Sequence, residues 1–505
     1  MSFQMPHAVA ALLVSLSFLA TPVVAAEGNQ DLLDVLRANG SITNEQYESL
    51  SAQEALTTQD VVEAAEPAKL PPVAAEADAN PALNQQFSDM IAEAVALKVE
   101  EEFPVKASYG KKGFRLESRD GNWQTNLQWR AQMRLTWPRR SDPRSVSNFA
   151  ATERVTFENR RLRMKIGGHG YQPWLKYYFE VDLQPTRDSD DSSSNASARV
   201  IDWRIDVAKY KKFGIRVGQW KIDYNRERVD SSGRQQFVER SIVNRTFTID
   251  RQVGISFRGH LFEGTPGDLR YAFGIFTGEG RGVNNDDNNL MYTGRVQWNF
   301  LGRDLALRQT DVERTEKPTA SLAFGGATHS GVCTRWSSGG CGNLDGFTSA
   351  GSARQGQFRV HQAVQEFAFK HQGFSFQQEF HWKRVIDRAQ TNGSALHRND
   401  LYGGYAQAGY FFSEIYDAFP EELELAFRYA YVREPNGPRS AGDGGFPSDR
   451  NEENVRQEFT AGANWFFSGH NNKITFDYSH LTLKDDVVSR SVSDDRVRLQ
   501  WDISF

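Results

Sequence analysis

The sequence predicts an all-β protein, an antiparallel transmembrane β-barrel of about 16 strands over residues 122–505, preceded by a short N-terminal helical segment. Three observations predict it. The first is the stretch 122–137, NWQTNLQWRAQMRLTW, which alternates almost without error. Trp123, Thr125, Leu127, Trp129, Ala131, Met133, Leu135 and Trp137 share one face, and Gln124, Asn126, Gln128, Arg130, Gln132, Arg134 and Thr136 share the other. A period of two sustained this long gives a strand with one apolar and one wet face. The two outer tryptophans are about 46 Å apart at roughly 3.3 Å per residue. Tilted by about 45°, that spans about 33 Å, enough to bracket an apolar band roughly 25 Å tall. The second is composition: 12% aromatic residues and 41 Gly go with a mean hydropathy of −0.59. A wall that shows lipid every second residue stays polar on average. The third is the joints. Residues 168–170, 211–212 and Gln372 are tight, whereas 184–197, 223–250, 329–358 and 434–455 are long and polar. Short turns at one rim and long loops at the other is the plan of outer-membrane barrels. A soluble β-sandwich also alternates, but it predicts shorter strands.

Taken in order, residues 1–26 read as a secretory signal, with an apolar core before small residues at Ala25 and Ala26. Residues 27–51 form a short helical segment around Gly40, and 52–81 an Ala/Glu/Pro-rich linker. Residues 82–121 hold an amphipathic helix, with Phe87, Ile91, Val95 and Val99 at steps of four, and a lead-in. Sixteen strand candidates follow, near 122–137, 154–167, 171–183, 198–210, 213–222, 251–261, 269–277, 291–300, 318–328, 359–371, 373–385, 400–412, 422–433, 456–467, 472–483 and 494–505. The last is typical: Val497, Leu499, Trp501, Ile503 and Phe505 oppose Arg498, Gln500, Asp502 and Ser504.

Composition and motifs exclude much. No run after residue 30 is apolar enough for a membrane-spanning helix. A net charge of −5 gives no basis for a nucleic-acid partner. No GxSxG, HExxH, CxxC, Walker or EF-hand pattern is present, so no enzyme, metal or cofactor is expected. Cys333 and Cys341 either close a small loop in an oxidising compartment or stay as two surface thiols.

If the apolar face meets lipid, the intervening residues line water. The first five strands then place Arg130, Arg134, Arg161, Arg163, Lys165, Lys176, Arg204 and Arg216 inward against Glu180, Asp202, Asp206 and Asp182. The last seven strands balance Lys370, Lys383, Arg428, Arg456, Lys473 and Arg498 against Glu366, Glu379, Glu424, Glu458, Asp477 and Asp502. A basic strip favours anions by focusing a positive potential in a low-dielectric passage. The candidate constriction loop, 223–250, carries Arg226, Arg228, Arg234, Arg240 and Arg245 with five interleaved acids. Its arginines either point into the pore or pair with those acids.

Three features together resemble the phosphate- and polyphosphate-selective (O/P-type) porin family of bacterial outer membranes. They are RVGQWK at 216–221, FVERSIVNRTFTIDRQVGISFRG at 237–259, and the terminal Phe505. Weaker echoes are ENRRLRMKIGG, YAQAGYFF and ANWFF. The resemblance implies a sixteen-stranded barrel, usually a homotrimer, with a loop folded into the lumen. It also implies an outer-membrane location, passive conduction of small hydrophilic solutes leaning to anions such as phosphate, and a terminal aromatic read by the barrel-assembly machinery. A weakly selective general or sugar porin and a plugged structural barrel are the alternatives.

Overall fold

The computed structural model describes residues 105–110, 112–137, 155–183, 198–283, 285, 288–344, 347–389, 397–435, 453–485 and 490–505. The expected signal segment, helices and linker of residues 1–102 lie outside them.

The chain enters through a hairpin, β1 (Val105–Gly110) and β2 (Gly113–Ser118). The first half of the barrel is β3 (Gln124–Trp137), β4 (Thr156–Gly170), β5 (Gln172–Asp182), β6 (Arg199–Tyr210), β7 (Phe213–Lys221), β8 (Arg251–Leu261), β9 (Leu269–Phe276) and β10 (Met291–Trp298). After β11 (Thr319–Gly331) comes a small side hairpin, β12 (Arg335–Ser337) and β13 (Gly340–Gly342). The wall continues with β14 (Phe358–His371), β15 (Phe374–Asp387), β16 (His397–Tyr410), β17 (Leu423–Pro435), β18 (Glu453–Ser468), β19 (Asn472–Asp485) and β20 (Arg490–Ser504). Every neighbour pairs antiparallel, and β20 pairs back onto β3 from Val497↔Trp137 to Ser504↔Arg130. The sixteen wall strands therefore close on themselves, which removes the sheet edges that lipid could not satisfy.

Side chains follow the expected alternation. On β3, Arg130, Gln132, Arg134 and Thr136 are buried in the lumen while Trp129, Leu135 and Trp137 are exposed. On β15 the buried residues Ser375, Gln377, Glu379, His381 and Lys383 alternate with outward Phe376, Gln378, Phe380 and Trp382. Two departures are local. A register shift between Gln132 and Met133 leaves Arg160 as an extra residue on β4, a bulge. The joint at Gln372 and Gly373 has φ of 45° and 77°, the mirror-type turn that matches strand twist.

At the seam, β3 runs below the end of β20. Phe505 exchanges backbone hydrogen bonds with Trp129 at 3.0 and 3.1 Å, and β2 takes over the next pairings, Phe114↔Leu127 to Glu117↔Gln124. The lead-in thus holds a β-hairpin that no sequence signal marked.

The lumen is filled on one side. Residues 222–250, between β7 and β8, turn inward and carry two short helices, α1 (Arg226–Val229) and α2 (Val243–Phe247). Ile242, Val243, Phe247 and Ile249 pack with Val364, Val385, Leu401 and Val432 of the wall and with Trp336 of β12. Each fully buried apolar side chain of this kind contributes roughly 1.5–3 kcal/mol. Of the two alternatives open for Cys333 and Cys341, the structure has the bonded one, with Cα atoms 5.7 Å apart, closing the hairpin that holds Trp336.

Candidate functional site

The inward loop is held by its backbone. Wall carboxylates accept its N–H groups: Glu366 from Arg226 at 3.1 Å, Glu379 from Glu227 at 2.6 Å, Asp477 from Val238 at 2.9 Å and Glu458 from Ile242 at 2.9 Å. Wall lysines donate to its carbonyls, Lys383 to Thr246 at 2.9 Å and Lys473 to Gln235 at 2.5 Å. The balanced charges of the β14–β20 wall are therefore a docking strip for a polar backbone, which would otherwise be buried unpaired. Gly409 makes room there, since a Cβ on it would stand 2.0 Å from the Gln236 amide.

On the opposite wall one acid anchors the loop. Glu239 meets Arg134 at 2.9 Å, Arg160 at 3.1 Å and Arg161 at 3.6 Å. The bulge at Arg160 is what brings three guanidinium groups to one carboxylate. Burial acts to raise the Glu239 carboxyl, but Arg134, Arg161 and Arg160 outweigh it and hold it well below the usual range.

A second segment enters from the short-turn rim. Residues 299–318, between β10 and β11, reach into the lumen and meet the first loop. Gln309 accepts from Gln236 N–H at 2.7 Å and donates to Gln235 at 2.8 Å, while Lys370 donates to the Thr310 carbonyl at 2.5 Å. The guanidinium of Arg226 also bonds the Ala306 carbonyl.

Two neighbouring hollows of about 690 and about 600 Å³ lie along β3–β10. Lys176, Asp206, Arg216 and Asp223 line both, so these residues stand at the neck where the two hollows adjoin. The neck is a ladder of alternating charge. Arg204 lies 3.3 Å from Asp206, Arg216 lies 2.5 Å from Asp206 and 4.0 Å from Asp223, and Arg258 lies 3.3 Å from Asp223. Burial pushes the Asp223 carboxyl up, yet Arg258 and Arg216 hold it below its ordinary value. Around both hollows stand twelve Lys and Arg side chains against five acids, Glu180, Asp202, Asp206, Asp223 and Asp304.

The eight wall residues read from sequence separate into two groups. Arg163, Lys165, Lys176, Arg204 and Arg216 line the hollow. Arg130, Arg134 and Arg161 are buried beneath the loop: Arg130 binds Asp502 at 3.2 Å and Ser232, and Arg161 binds Gln132 at 2.8 Å. The loop arginines divide in the same way. Arg226 is buried on β14 and β15, Arg228 pairs with Asp250, and Arg240 donates to the carbonyls of Glu227 and Asp230 at 2.8 and 2.7 Å. Arg245 is half-buried. Arg234 is exposed and lines the larger hollow. Sequence reasoning missed Arg258 and Arg295, which alternation on β8 and β10 would have turned inward, and Lys112 of the hairpin turn.

No curated protein sequence matches the chain. Among solved structures it is similar to a loop-deletion form of OmpT, an outer membrane protein of Vibrio cholerae, at 11% identity, covering 75% of this chain and 99% of that one with a TM-score of 0.46. It is also similar to the outer membrane channel DcaP of Acinetobacter baumannii, at 11% identity, 77% and 99% coverage and a TM-score of 0.46. An anion-selective porin from Comamonas acidovorans matches at 10% identity, 75% and 99% coverage and a TM-score of 0.44. A family profile described as phosphate-selective porin O and P matches residues 141–505, most of the barrel. With that match and a closed sixteen-stranded wall, the chain belongs to the phosphate-selective porin O and P family of outer-membrane porins, which are pores and not enzymes.

Proposed function

We propose that this porin is a weakly selective diffusion pore for small hydrophilic solutes, with a mild preference for anions. The observation that carries this reading is the charge around the two hollows, twelve basic against five acidic side chains. A net positive, low-dielectric passage concentrates anions. The preference is mild because the neck arginines are already engaged: Arg204, Arg216 and Arg258 each pair with Asp206 or Asp223. A paired guanidinium offers a permeating anion little of its field or its donor fork. Lys176 and Arg234, both exposed, are a wall cation and a loop cation that face the larger hollow. Phosphate then passes as one anion among others, without a tight site.

A second reading, a plugged structural barrel, is favoured by the meeting of the two inward segments at Gln235, Gln236 and Gln309. Planar-bilayer recordings separate the two. The diffusion pore gives discrete conductance steps, with chloride current little affected by millimolar phosphate. Block of that current at low phosphate would establish a specific phosphate site, and absence of steps would favour the plug. The homotrimer implied by the resemblance belongs to this proposal as well, and chemical cross-linking of the barrel in native membranes tests it.

A further inference from the structure

Sulfur, imidazole and carboxylate donors meet at one place on the long-loop rim, apart from the two hollows. Cys333, just before β12, is bonded to Cys341 of β13, with Cα atoms 5.7 Å apart. Glu279 comes from the connection between β9 and β10, and His329 from the upper end of β11. Among the described residues, Glu279, Cys333 and Cys341 form one group of three metal-type donors, a carboxylate oxygen and both sulfurs lying within 4.8 Å of one another. His329 joins the group from the side, its Nε2 standing 3.9 Å from the Glu279 carboxylate.

The backbone here is shaped for close approach. Gly278 and Gly280 flank Glu279. A Cβ on Gly278 would stand 2.2 Å from the His329 ring, and one on Gly280 would stand 2.7 Å from the Cys341 backbone nitrogen. A Cβ on Gly331 would stand 2.4 Å from His329 Nε2 and 3.3 Å from the Glu279 carboxylate. Trp336 Nε1–H donates to the Gly278 carbonyl at 2.6 Å, which ties the hairpin to the segment that carries Glu279. Its ring meets His329 edge-on at 5.6 Å. Cys333, Glu279 and His329 are buried and Cys341 is half-buried, so Cys341 is the side from which the group is reached.

The donor types select one kind of ion. Two sulfurs, an imidazole and a carboxylate suit zinc, whereas calcium and magnesium take oxygen ligands. A tetrahedral Zn²⁺ with bonds of about 2.0–2.1 Å to nitrogen and oxygen and about 2.3 Å to sulfur holds its ligand atoms roughly 3.3–3.8 Å apart. The 3.9 Å between His329 and Glu279 is too long for a direct hydrogen bond and close to that spacing. While the disulfide stands, the group offers only the imidazole and the carboxylate, short of the four ligands a structural site takes. Opening the sulfur–sulfur bond supplies the other two.

We propose that Cys333, Cys341, Glu279 and His329 form a zinc site once the Cys333–Cys341 bond is reduced. The reductant is a dithiol. It passes two electrons and two protons to the bond, giving two cysteine thiols, and leaves as its own cyclic disulfide. Zn²⁺ then releases both thiol protons to solvent and binds the thiolates. The ion replaces the disulfide as the tie of the hairpin, whose Trp336 packs in the same core cluster as Val243 and Phe247 of the inward loop. The site is independent of what the lumen conducts.

The test uses the full-length porin in detergent, reduced with dithiothreitol, desalted under argon and titrated with Co²⁺ as a spectroscopic stand-in for zinc. A thiol assay should find both cysteines free. The reduced porin should take up about one Co²⁺ per chain, with a thiolate-to-cobalt charge-transfer band and the strong visible bands of tetrahedral cobalt. Added Zn²⁺ should bleach both. Affinity should exceed that of the oxidised porin by at least about a hundredfold. E279Q and H329Q should each weaken uptake by at least about tenfold and alter the visible bands. Thiols that fail to appear, equal uptake by the oxidised porin, a six-coordinate cobalt spectrum, or unaltered affinity in either variant would each overturn the proposal. The comparison of reduced with oxidised porin stands even if a variant does not fold.

Discussion

Glu239→Gln tests how the inward loop is held. The Glu239 carboxylate collects three guanidinium groups at 2.9, 3.1 and 3.6 Å and is about 24% exposed. At an effective dielectric near 20, each unit-charge pair near 4 Å is worth about 4 kcal/mol. Partial exposure reduces that, and the amide keeps one acceptor oxygen. The neighbouring anchors also remain, since Arg134 still donates to the Val238 carbonyl at 3.1 Å and to Gln500. The loop should therefore lose about 2–4 kcal/mol of local stability, a 30- to 1000-fold rise in its detached population. Three arginines left without their shared acid also add one net positive charge to the lumen. Amide hydrogen exchange of residues 230–242 should speed up by a corresponding factor, and bilayer currents should become noisier and lean further to anions. Unchanged exchange together with unchanged current noise would refute the staple.

The remaining predictions concern other parts of the same assembly. Burial, helped by nearby Glu379, raises the Glu227 carboxyl to about 7, against bonds from Ser241 N–H and Oγ–H. Its folded-state value lies above the unfolded one near 4.3, so the folded loop holds an extra proton between them and loses stability as pH climbs from about 4.5 to about 7, on the order of 3 kcal/mol. Loop exchange should thus be slower at pH 5 than at pH 8, and Glu227→Gln should flatten the difference; a flat profile in the unmodified protein would contradict this. Replacing Cys333 and Cys341 with Ser should cost the β12–β13 hairpin about 2–3 kcal/mol and expose Trp336 to quenchers without unfolding the barrel; an unchanged Trp336 signal would contradict it. Deleting Phe505 removes both seam bonds to Trp129 and should lower the yield of heat-resistant folded barrel on electrophoresis; an undiminished yield would show the seam does not need it.

Much of the wall was legible because its period is simple. Trp129 faces out and Arg130 faces in on a strand whose neighbours obey the same rule, so alternation and the turn signals together placed the sixteen wall strands. The interior was not legible for a physical reason. Alternation says which residues face inward, but not what else the chain sends into the lumen. Glu366, Glu379, Glu458 and Asp477 read as pore charges, yet they serve loop amides. Arg134 and Arg161 read as open cations, yet they hold Glu239. Both assignments depend on long-range pairing with residues 222–250 that no local pattern records. The segment 299–318 gave no warning either, since a turn on the short-loop rim is expected to stay outside. The β1–β2 hairpin was hidden by its brevity, two strands of six residues with little apolar contrast.

The proposed water-filled path along β3–β10 has a net positive lining, twelve basic against five acidic side chains. The reversal potential of the reconstituted porin in a potassium chloride gradient tests it most directly, compared with that of the K176Q/R234Q variant. Steady channels are expected, with a modest shift toward the chloride equilibrium potential that the variant reduces with little loss of conductance. A potential on the potassium side, or one that the two substitutions leave where it was, would contradict it.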